Sequence, residues 1–299
     1  MIKGNGIVKE FDGFYALSGL NINVPKGSVY GLIGPNGAGK TTLIKSLMSI
    51  YKINEGKIEI ANSADIASEE LKQRIIYISD DLYFYPGFSI KQMAKFYADI
   101  YKNWDNAVFE AIGKVIDIDP SRKVRKLSKG MQKQVAFWLG ISAKPDLMIL
   151  DEPVDGLDPV ARRTVMNIVL QEVESRNMTV LISSHNLREL EDICDHVGIM
   201  HDGKVVIEKS LDDVKGNIHK IQVAFKGDFP EKLETEIDIL KKEAFGSVEL
   251  LVVRGDGEQI RDEIEKYNPV ICDILPLSLE EVFIYELGGM GYELKKLVI

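Results

Sequence analysis

The feature that most constrains the fold of this chain is a glycine-rich loop over residues 34–42. It fits the pattern Gly-x-x-x-x-Gly-Lys-Thr without a mismatch, and it stands between the apolar run 28–33 and the helical pattern 41–50. A strand, a glycine-rich turn and a helix N-terminus in this order point several backbone N–H groups at one phosphate. The loop therefore predicts an α/β fold that binds a nucleoside triphosphate, most simply ATP.

Each residue type in the loop has a chemical reason to be there. Glycine permits the backbone angles that turn successive N–H groups toward phosphate oxygens. Lys40 should reach the β- and γ-phosphates, and the Thr41 hydroxyl should bind Mg²⁺. The predicted nucleotide-binding residues of the loop are Gly34, Asn36, Gly37, Ala38, Gly39, Lys40, Thr41 and Thr42.

Two adjacent carboxylates, Asp151 and Glu152, follow the apolar run 147–150. Ligands of open α/β sheets bind at the carboxyl ends of the strands, so both side chains should face the triphosphate. Asp151 would hold Mg²⁺ through water, and Glu152 would orient or deprotonate the attacking water. A carboxylate pair after a strand is weak evidence alone, but downstream of a phosphate loop it predicts ATP hydrolysis.

Three further motifs accompany these two. Residues 127–132 read Leu-Ser-Lys-Gly-Met-Gln, residues 155–159 read Asp-Gly-Leu-Asp-Pro, and residues 183–185 read Ser-Ser-His. In this order and spacing the five motifs resemble the ATP-binding subunit of an ABC transporter, over about residues 2 to 212. The resemblance implies a RecA-like P-loop NTPase core with a mixed sheet in residues 1–214, containing a helical subdomain at about 83–145.

The resemblance also implies a composite site. In the family two copies close head to tail around two ATP molecules, so a second ATP-binding subunit is expected as partner, identical or related. Ser128 and Gly130 would contact the γ-phosphate held by that partner, and Asp158 would lie at the dimer interface. His185 would hydrogen-bond the γ-phosphate, which makes Lys40, Glu152 and His185 the expected catalytic residues.

An N-terminal aromatic residue of the family stacks on adenine. Phe11 is the first candidate and Tyr15 the second. Stacking requires only a π-face, so it discriminates poorly between ATP and GTP. The alternative is an ordinary core or surface aromatic residue.

The sequence departs from the family pattern at two places. Asp80 stands where members usually carry a glutamine that touches Mg²⁺, and it is therefore a candidate metal ligand beside Thr41 and Asp151. Lys129 and Met131 replace a glycine and a glutamine of the commonest signature. Together with residues 279–283, this resembles the separate ATPase subunits of bacterial drug and antibiotic-peptide exporters.

Bulk properties limit the possible partners. The formal net charge of −9 argues against a general affinity for nucleic acid. No apolar run approaches the roughly 20 residues needed to cross a bilayer. A separate membrane-spanning subunit is therefore expected, docked on about residues 80–102, with this chain peripheral on the cytoplasmic face of the membrane. Alternatives are a soluble ABC ATPase and an ATP-switched regulatory module.

A small α+β accessory domain is predicted over residues 217–299. Its apolar patterns indicate strands at 220–225, 248–253 and 270–275, and helices at 230–244, 258–267 and 278–287. Ser278 is the expected N-cap of the last helix. The patterns leave open whether this domain regulates, contacts a partner or supports the dimer.

Overall fold

A computed structural model of the chain describes residues 1–211, 218–278, 281, 282 and 285. The chain divides into two compact units, Met1–Glu208 and Lys209–Ile299. The boundary expected from the sequence, at 214–217, lies outside the described residues.

The first part of the chain alternates strands and helices. Its strands are β1 (Ile2–Phe11), β2 (Phe14–Val24), β3 (Val29–Ile33), β4 (Glu55–Ile60), β5 (Ile75–Ile78), β6 (Leu147–Asp151), β7 (Thr179–Ser184), β8 (His196–His201) and β9 (Lys204–Ser210). Its α-helices are α1 (Lys40–Leu47), α2 (Glu69–Lys72), α3 (Ile90–Ile100), α4 (Asn106–Ile116), α5 (Lys129–Ser142) and α6 (Pro159–Arg176). Short 3-10 helices span Val124–Lys126 and Leu187–Glu189.

A six-stranded sheet in the order β5-β6-β7-β3-β8-β9 forms the centre of this unit. Strands β5, β6, β7, β3 and β8 are parallel neighbours. Every residue of β3, β6 and β7 is buried, as expected for strands covered on both faces, which explains their unbroken apolar runs. Because β7 lies between β6 and β3, the ends of all three strands meet at one edge of the sheet.

A second sheet in this unit is antiparallel, in the order β2-β1-β4. Its inner face joins the same apolar core as β3 and α1, through residues such as Leu17, Leu20 and Ile22. Strand β1 extends to Phe11, where the turn Asp12-Gly13 leads into β2. That turn brings aromatic side chains close to the glycine-rich loop.

The helical region predicted at about 83–145 contains α3, α4 and α5. Helix α3 begins at a capping box, in which Ser89 and Gln92 each satisfy a backbone N–H of the other. Helix α5 begins after Ser128, whose hydroxyl accepts a hydrogen bond from the N–H of Met131. No helix in the described part of the chain is long and apolar enough to cross a membrane.

The second unit contains a four-stranded antiparallel sheet, ordered β11-β12-β10-β13. Its strands are β10 (Ile218–Ala224), β11 (Asp238–Phe245), β12 (Val248–Arg254) and β13 (Ile271–Leu275), with helices α7 (Leu233–Glu236) and α8 (Gly257–Glu265). One face of the sheet shares an apolar core with both helices, including Ile221, Leu251 and Ile260.

The predicted helix over residues 230–244 is wrong. Only Leu233–Glu236 is helical, and Asp238–Phe245 is an edge strand paired with β12. Lysine, glutamate and alanine favour helix locally, but pairing with a buried strand across the Gly246 turn outweighs that preference. The helix predicted at 278–287 lies mostly outside the described residues, although Ser278 Oγ accepts from the Glu281 N–H at 3.2 Å, as an N-cap does.

Candidate active site

The glycine-rich loop is closed around the side chain of its lysine. Lys40 is 6% exposed, and its Nζ donates to the carbonyl oxygens of Gly34 at 2.6 Å and Pro35 at 3.3 Å. The N–H of Gly34 donates to the carbonyl of Ser184 at 3.4 Å, which anchors the loop to the end of β7. The ammonium group therefore lies inside the ring of backbone that would surround a phosphate.

Two glycines of the loop are required by close backbone contacts. A Cβ on Gly34 would lie 2.5 Å from the carbonyl oxygen of Met200, and one on Gly39 would lie 2.6 Å from that of Ala16. Gly39 also has a φ of 102°, a left-handed conformation that directly precedes α1. These contacts hold the loop against β2 and β8 and thereby set its shape.

One hydroxyl connects the Asp151 carboxylate at the end of β6 to the backbone of Glu152. Ser183 Oγ donates to Asp151 Oδ1 at 2.6 Å and accepts from the N–H of Glu152 at 3.0 Å. Asp151 is 2% exposed, so this hydrogen bond partly satisfies a buried carboxylate and fixes its direction. Asp151 of β6 and Ser183 of β7 are paired in the register of the sheet, which places the serine hydroxyl beside the carboxylate.

The carboxylate of Glu152 lies between the side chains of Lys40 and His185. Its Oε1 is 3.4 Å from Lys40 Nζ, and its Oε2 is 3.0 Å from His185 Nδ1. The hydrogen bond with Glu152 raises the pKa of His185 above its usual value, against a smaller opposing effect of burial. Glu152 therefore contacts both of the other residues predicted to be catalytic.

Lys133 is a component of the site that the sequence reasoning missed. It lies on α5, is buried, and its Nζ donates to the carbonyl oxygen of Glu152 at 2.9 Å and to Asp80 Oδ1 at 3.2 Å. A lysine two residues before the apolar segment 135–139 was the signal available, since that position faces the protein interior.

A cavity of about 440 Å³ opens over the loop. Its wall includes Phe11 and Phe14 together with Lys40, Asp80 and Glu152. Phe11 is 38% exposed and Phe14 66% exposed, so both present ring surface to the opening. Phe14 was not predicted, whereas the second candidate, Tyr15, is not among the residues that line this cavity.

The donors at this cavity suit a magnesium ion. Thr41 and Asp80 line it, and the Asp151 carboxylate at the adjoining strand end has only one oxygen engaged by Ser183. Hydroxyl and carboxylate oxygens are the ligands that Mg²⁺ prefers. The residues present therefore fit the metal that accompanies a bound triphosphate.

Comparison with known proteins agrees with this geometry. A family model described as "ABC transporter" matches residues 17–155. The ABC transporter ATP-binding protein YtrB of Bacillus subtilis is 31% identical, over 97% of this chain and 99% of its own length. The chain belongs to the ABC transporter ATP-binding proteins. The bacitracin transport ATP-binding protein BcrA of Bacillus licheniformis is also 31% identical, over 97% of this chain and 98% of its own length.

Solved structures of ABC transporter ATP-binding subunits share the fold. One described as the structure of an ATP-binding subunit of an ABC transporter has a TM-score of 0.67 and 25% identity, over 72% of this chain and 92% of its own. The predicted family, α/β fold class and ATPase activity are thereby confirmed. As an ABC ATPase the chain binds ATP, and domains of this family dimerise and work with membrane subunits.

The remaining predicted residues of this ABC ATPase lie apart from its own phosphate loop. Ser128 caps α5, and a Cβ on Gly130 would lie 2.8 Å from the carbonyl oxygen of Gly156. Asp158 caps α6 by accepting from the N–H groups of Val160 and Ala161, each at 3.0 Å. None of these three predicted residues lines the cavity over the loop. Each of the three has a local structural role in this chain.

Proposed function

We propose that this chain hydrolyses ATP with Glu152 as general base and thereby powers a membrane exporter. The observation that carries the proposal is the position of the Glu152 carboxylate, in contact with both Lys40 and His185 at the mouth of the phosphate loop. A carboxylate there can accept a proton from water on the γ-phosphate side of a bound triphosphate.

The loop residues bind and orient the nucleotide. Lys40 exchanges its contacts with Glu152 and the loop carbonyls for the β- and γ-phosphates, which frees the carboxylate to accept a proton. Thr41 and Asp151, with Asp80 nearby, would hold Mg²⁺, which would neutralise charge on the phosphates. His185 keeps the Glu152 carboxylate in place and donates to the γ-phosphate as charge develops. Phe11 and Phe14 offer the adenine a stacking surface.

A second ATP-binding subunit completes the site. Ser128 and Gly130 begin α5, so the positive end of this helix can face a γ-phosphate held by the other copy. The Ser128 side chain is exposed. Their separation from the loop of the same chain supports a head-to-tail dimer, with Asp158 at the interface.

The exporter role rests on relatives and on the signature motif. Lys129 and Met131 mark the subgroup, and the names of two relatives, a bacitracin and a lantibiotic transport ATP-binding protein, indicate an antibiotic peptide or drug as cargo. The lantibiotic relative, SrtF of Streptococcus pyogenes, is 33% identical over 71% of this chain. A separate membrane-spanning subunit supplies the path for the cargo. Residues 80–102 dock on that subunit from the cytoplasmic face of the membrane. Tyr83, in this segment, is 70% exposed and available for such a contact.

Steady-state turnover tests the proposal. Glu152→Gln keeps the side-chain shape but removes the base, so we expect turnover of purified protein with Mg-ATP to fall by about 100-fold or more. ATP binding should persist, and the variant should form an ATP-dependent dimer by sedimentation velocity. Glu174→Gln, the same change on an exposed position of α6, should hydrolyse like wild type.

The alternatives give different results. Equal turnover of wild type and Glu152→Gln would remove the catalytic assignment. A wild type that binds ATP without measurable turnover would indicate an ATP-switched module. Recovery of the tagged chain with ribosomes or DNA, and never with a membrane protein, would exclude the transporter role.

A further inference from the structure

We propose that Lys133 is a positioning residue for ATP hydrolysis, acting through the backbone of Glu152, and that Asp80 serves as its charge partner. The inference rests on the proposed role of Glu152 as general base. It explains the unusual aspartate at residue 80 as one half of a pair, with the other half on α5.

Lys133 connects three parts of the site. From α5 its ammonium group contacts the Glu152 carbonyl at 2.9 Å and the Asp80 carboxylate at 3.2 Å. The lysine side chain is 8% exposed, whereas that of Asp80 is 58% exposed. A buried ammonium group is costly unless it is paired and hydrogen-bonded, so both contacts are needed to keep it inside the protein.

The contact with Glu152 falls on a backbone that needs support. Glu152 has a φ of 45°, in the left-handed region that non-glycine residues rarely adopt. Ser183 Oγ fixes its N–H at 3.0 Å, and Lys133 fixes its carbonyl at 2.9 Å. With both peptide groups held, the Cα–Cβ bond of Glu152 has one direction, toward Lys40 and His185.

The pair explains the charge at residue 80. A glutamine there would leave the Lys133 ammonium facing a neutral group, whereas the carboxylate neutralises it. In this arrangement Asp80 Oδ1 forms an ion pair with Lys133 Nζ. The main role of Asp80 is therefore to pair with Lys133 rather than to bind a metal. The loop after β5 and the start of α5 are thereby connected to the backbone of Glu152.

A double-mutant cycle on the full chain tests the inference. Lys133→Met, Asp80→Asn and the double variant are compared with wild type for kcat and for KM of ATP at saturating Mg²⁺. Lys133→Met should lower kcat by about tenfold to 100-fold, because small displacements of a catalytic group have effects of this size. KM should stay within about twofold, because in the described part of the chain the Lys133 ammonium group contacts Asp80 and Glu152 rather than the phosphate loop, and Lys133→Arg should recover part of kcat.

The cycle also identifies the partner. Asp80→Asn should lower kcat severalfold alone but have no further effect in the Lys133→Met background, as expected for residues that act together. Asp80→Asn could instead lower kcat equally in the wild-type and Lys133→Met backgrounds and raise the Mg²⁺ concentration needed for activity. That result would make Asp80 a metal ligand and overturn the pairing. Wild-type kcat in Lys133→Met would overturn the inference as a whole.

A matched control separates positioning from general stability. Lys144 forms a 3.4 Å ion pair with Asp105 just after α5, remote from Glu152, so Lys144→Met should keep kcat within about twofold. If Lys133→Met does not fold, Lys133→Arg and the exposed Asp80→Asn still test the pair by the split between kcat and KM. An inactive wild type would count against the proposed function, whereas an active wild type with an equally active Lys133→Met counts against this inference alone.

Discussion

At the scale of single residues, the site depends on a few side chains that each contact two other residues. Ser183 Oγ contacts both Asp151 and the backbone of Glu152, and the Glu152 carboxylate contacts both Lys40 and His185. Such networks respond to a single substitution by more than one lost contact. The catalytic geometry is therefore sensitive to residues that never touch ATP.

The contact between His185 and Glu152 predicts a pH-dependent stability. Glu152 raises the pKa of His185, so the stabilisation is fully present below the unfolded value of about 6.5 and is lost as pH rises through the folded pKa. His185→Gln should therefore lower the free energy of unfolding more at pH 6 than at pH 8.5. Because His185 is 42% exposed, we expect a difference of only about 0.2–1 kcal/mol.

Urea denaturation without nucleotide or Mg²⁺ measures this difference. In a Glu152→Gln background the pH dependence of the His185→Gln effect should become smaller, because Glu152 has the largest effect on the His185 pKa and only the weaker effects of Asp155 and Glu189 remain. A larger effect at pH 8.5 than at pH 6 would contradict the assignment.

Two glycines of the loop give a matched stability comparison. Gly37 has a φ of 85° and open space around it, whereas Gly39 has a φ of 102° and a carbonyl 2.6 Å from any Cβ. Gly37→Ala should cost about 1 kcal/mol of backbone strain, and Gly39→Ala about 3 kcal/mol, because the contact adds to the strain. Urea denaturation of the nucleotide-free protein measures both, and equal losses would show that the loop relaxes around the methyl group.

At the scale of elements, α5 has two functions along its length. Its first residues, after Ser128, present N–H groups at an exposed position, while Lys133 one turn later points inward to Glu152 and Asp80. A rotation or shift of this helix would move both at once. The helix therefore couples the proposed partner-facing surface to the catalytic carboxylate within one rigid element.

Substitutions of Ser128 separate its capping role from its proposed role at the partner's ATP. Ser128→Ala should cost about 1 kcal/mol of stability because the N-cap hydrogen bond to Met131 is lost. Ser128→Asp should keep the cap and the stability but place a negative charge against the γ-phosphate. We expect its turnover to fall at least about tenfold, since like charges in contact are strongly unfavourable.

Thermal unfolding and Mg-ATP turnover, measured on the same preparations, provide the test. Wild-type turnover in Ser128→Asp would exclude Ser128 from the composite site. Lys126→Gln, which lowers the net charge by the same one unit at an exposed position two residues earlier, serves as the control.

At the scale of the whole molecule, every predicted site residue belongs to the first unit, Met1–Glu208. A chain that ends after Leu211, retaining all of β9, should therefore bind ATP with a Kd within about threefold of the full chain, because it keeps every side chain at the loop. Isothermal titration in a Glu152→Gln background measures the affinity without turnover. A large loss of affinity in a truncated chain with native circular dichroism would show that the second unit contributes to the nucleotide site.

The same division shows where sequence reasoning succeeded. In the first unit the buried strands β3 and β6 and the phosphate loop between β3 and α1 each carry a local signal, and these elements were predicted. In the second unit, β11 is an exposed edge strand of helix-favouring residues, so its state depends on pairing with β12 and the predicted helix was wrong. Local preference decides an element only where no tertiary contact opposes it.

The sequence by itself determined the family, the α/β fold and the identity of the residues at the loop and at the end of β6. Short motifs specify those residues, because each motif forms one turn, one strand end or one helix start from residues that are adjacent in sequence. Only the tertiary structure showed that Glu152 contacts Lys40 and His185, that Phe14 lines the cavity, and that Lys133 pairs with Asp80. The ion pairs among these contacts join residues up to 112 positions apart along the chain, as between Lys40 and Glu152. No local pattern records such distances, because strand order and helix packing, rather than sequence spacing, bring the side chains together.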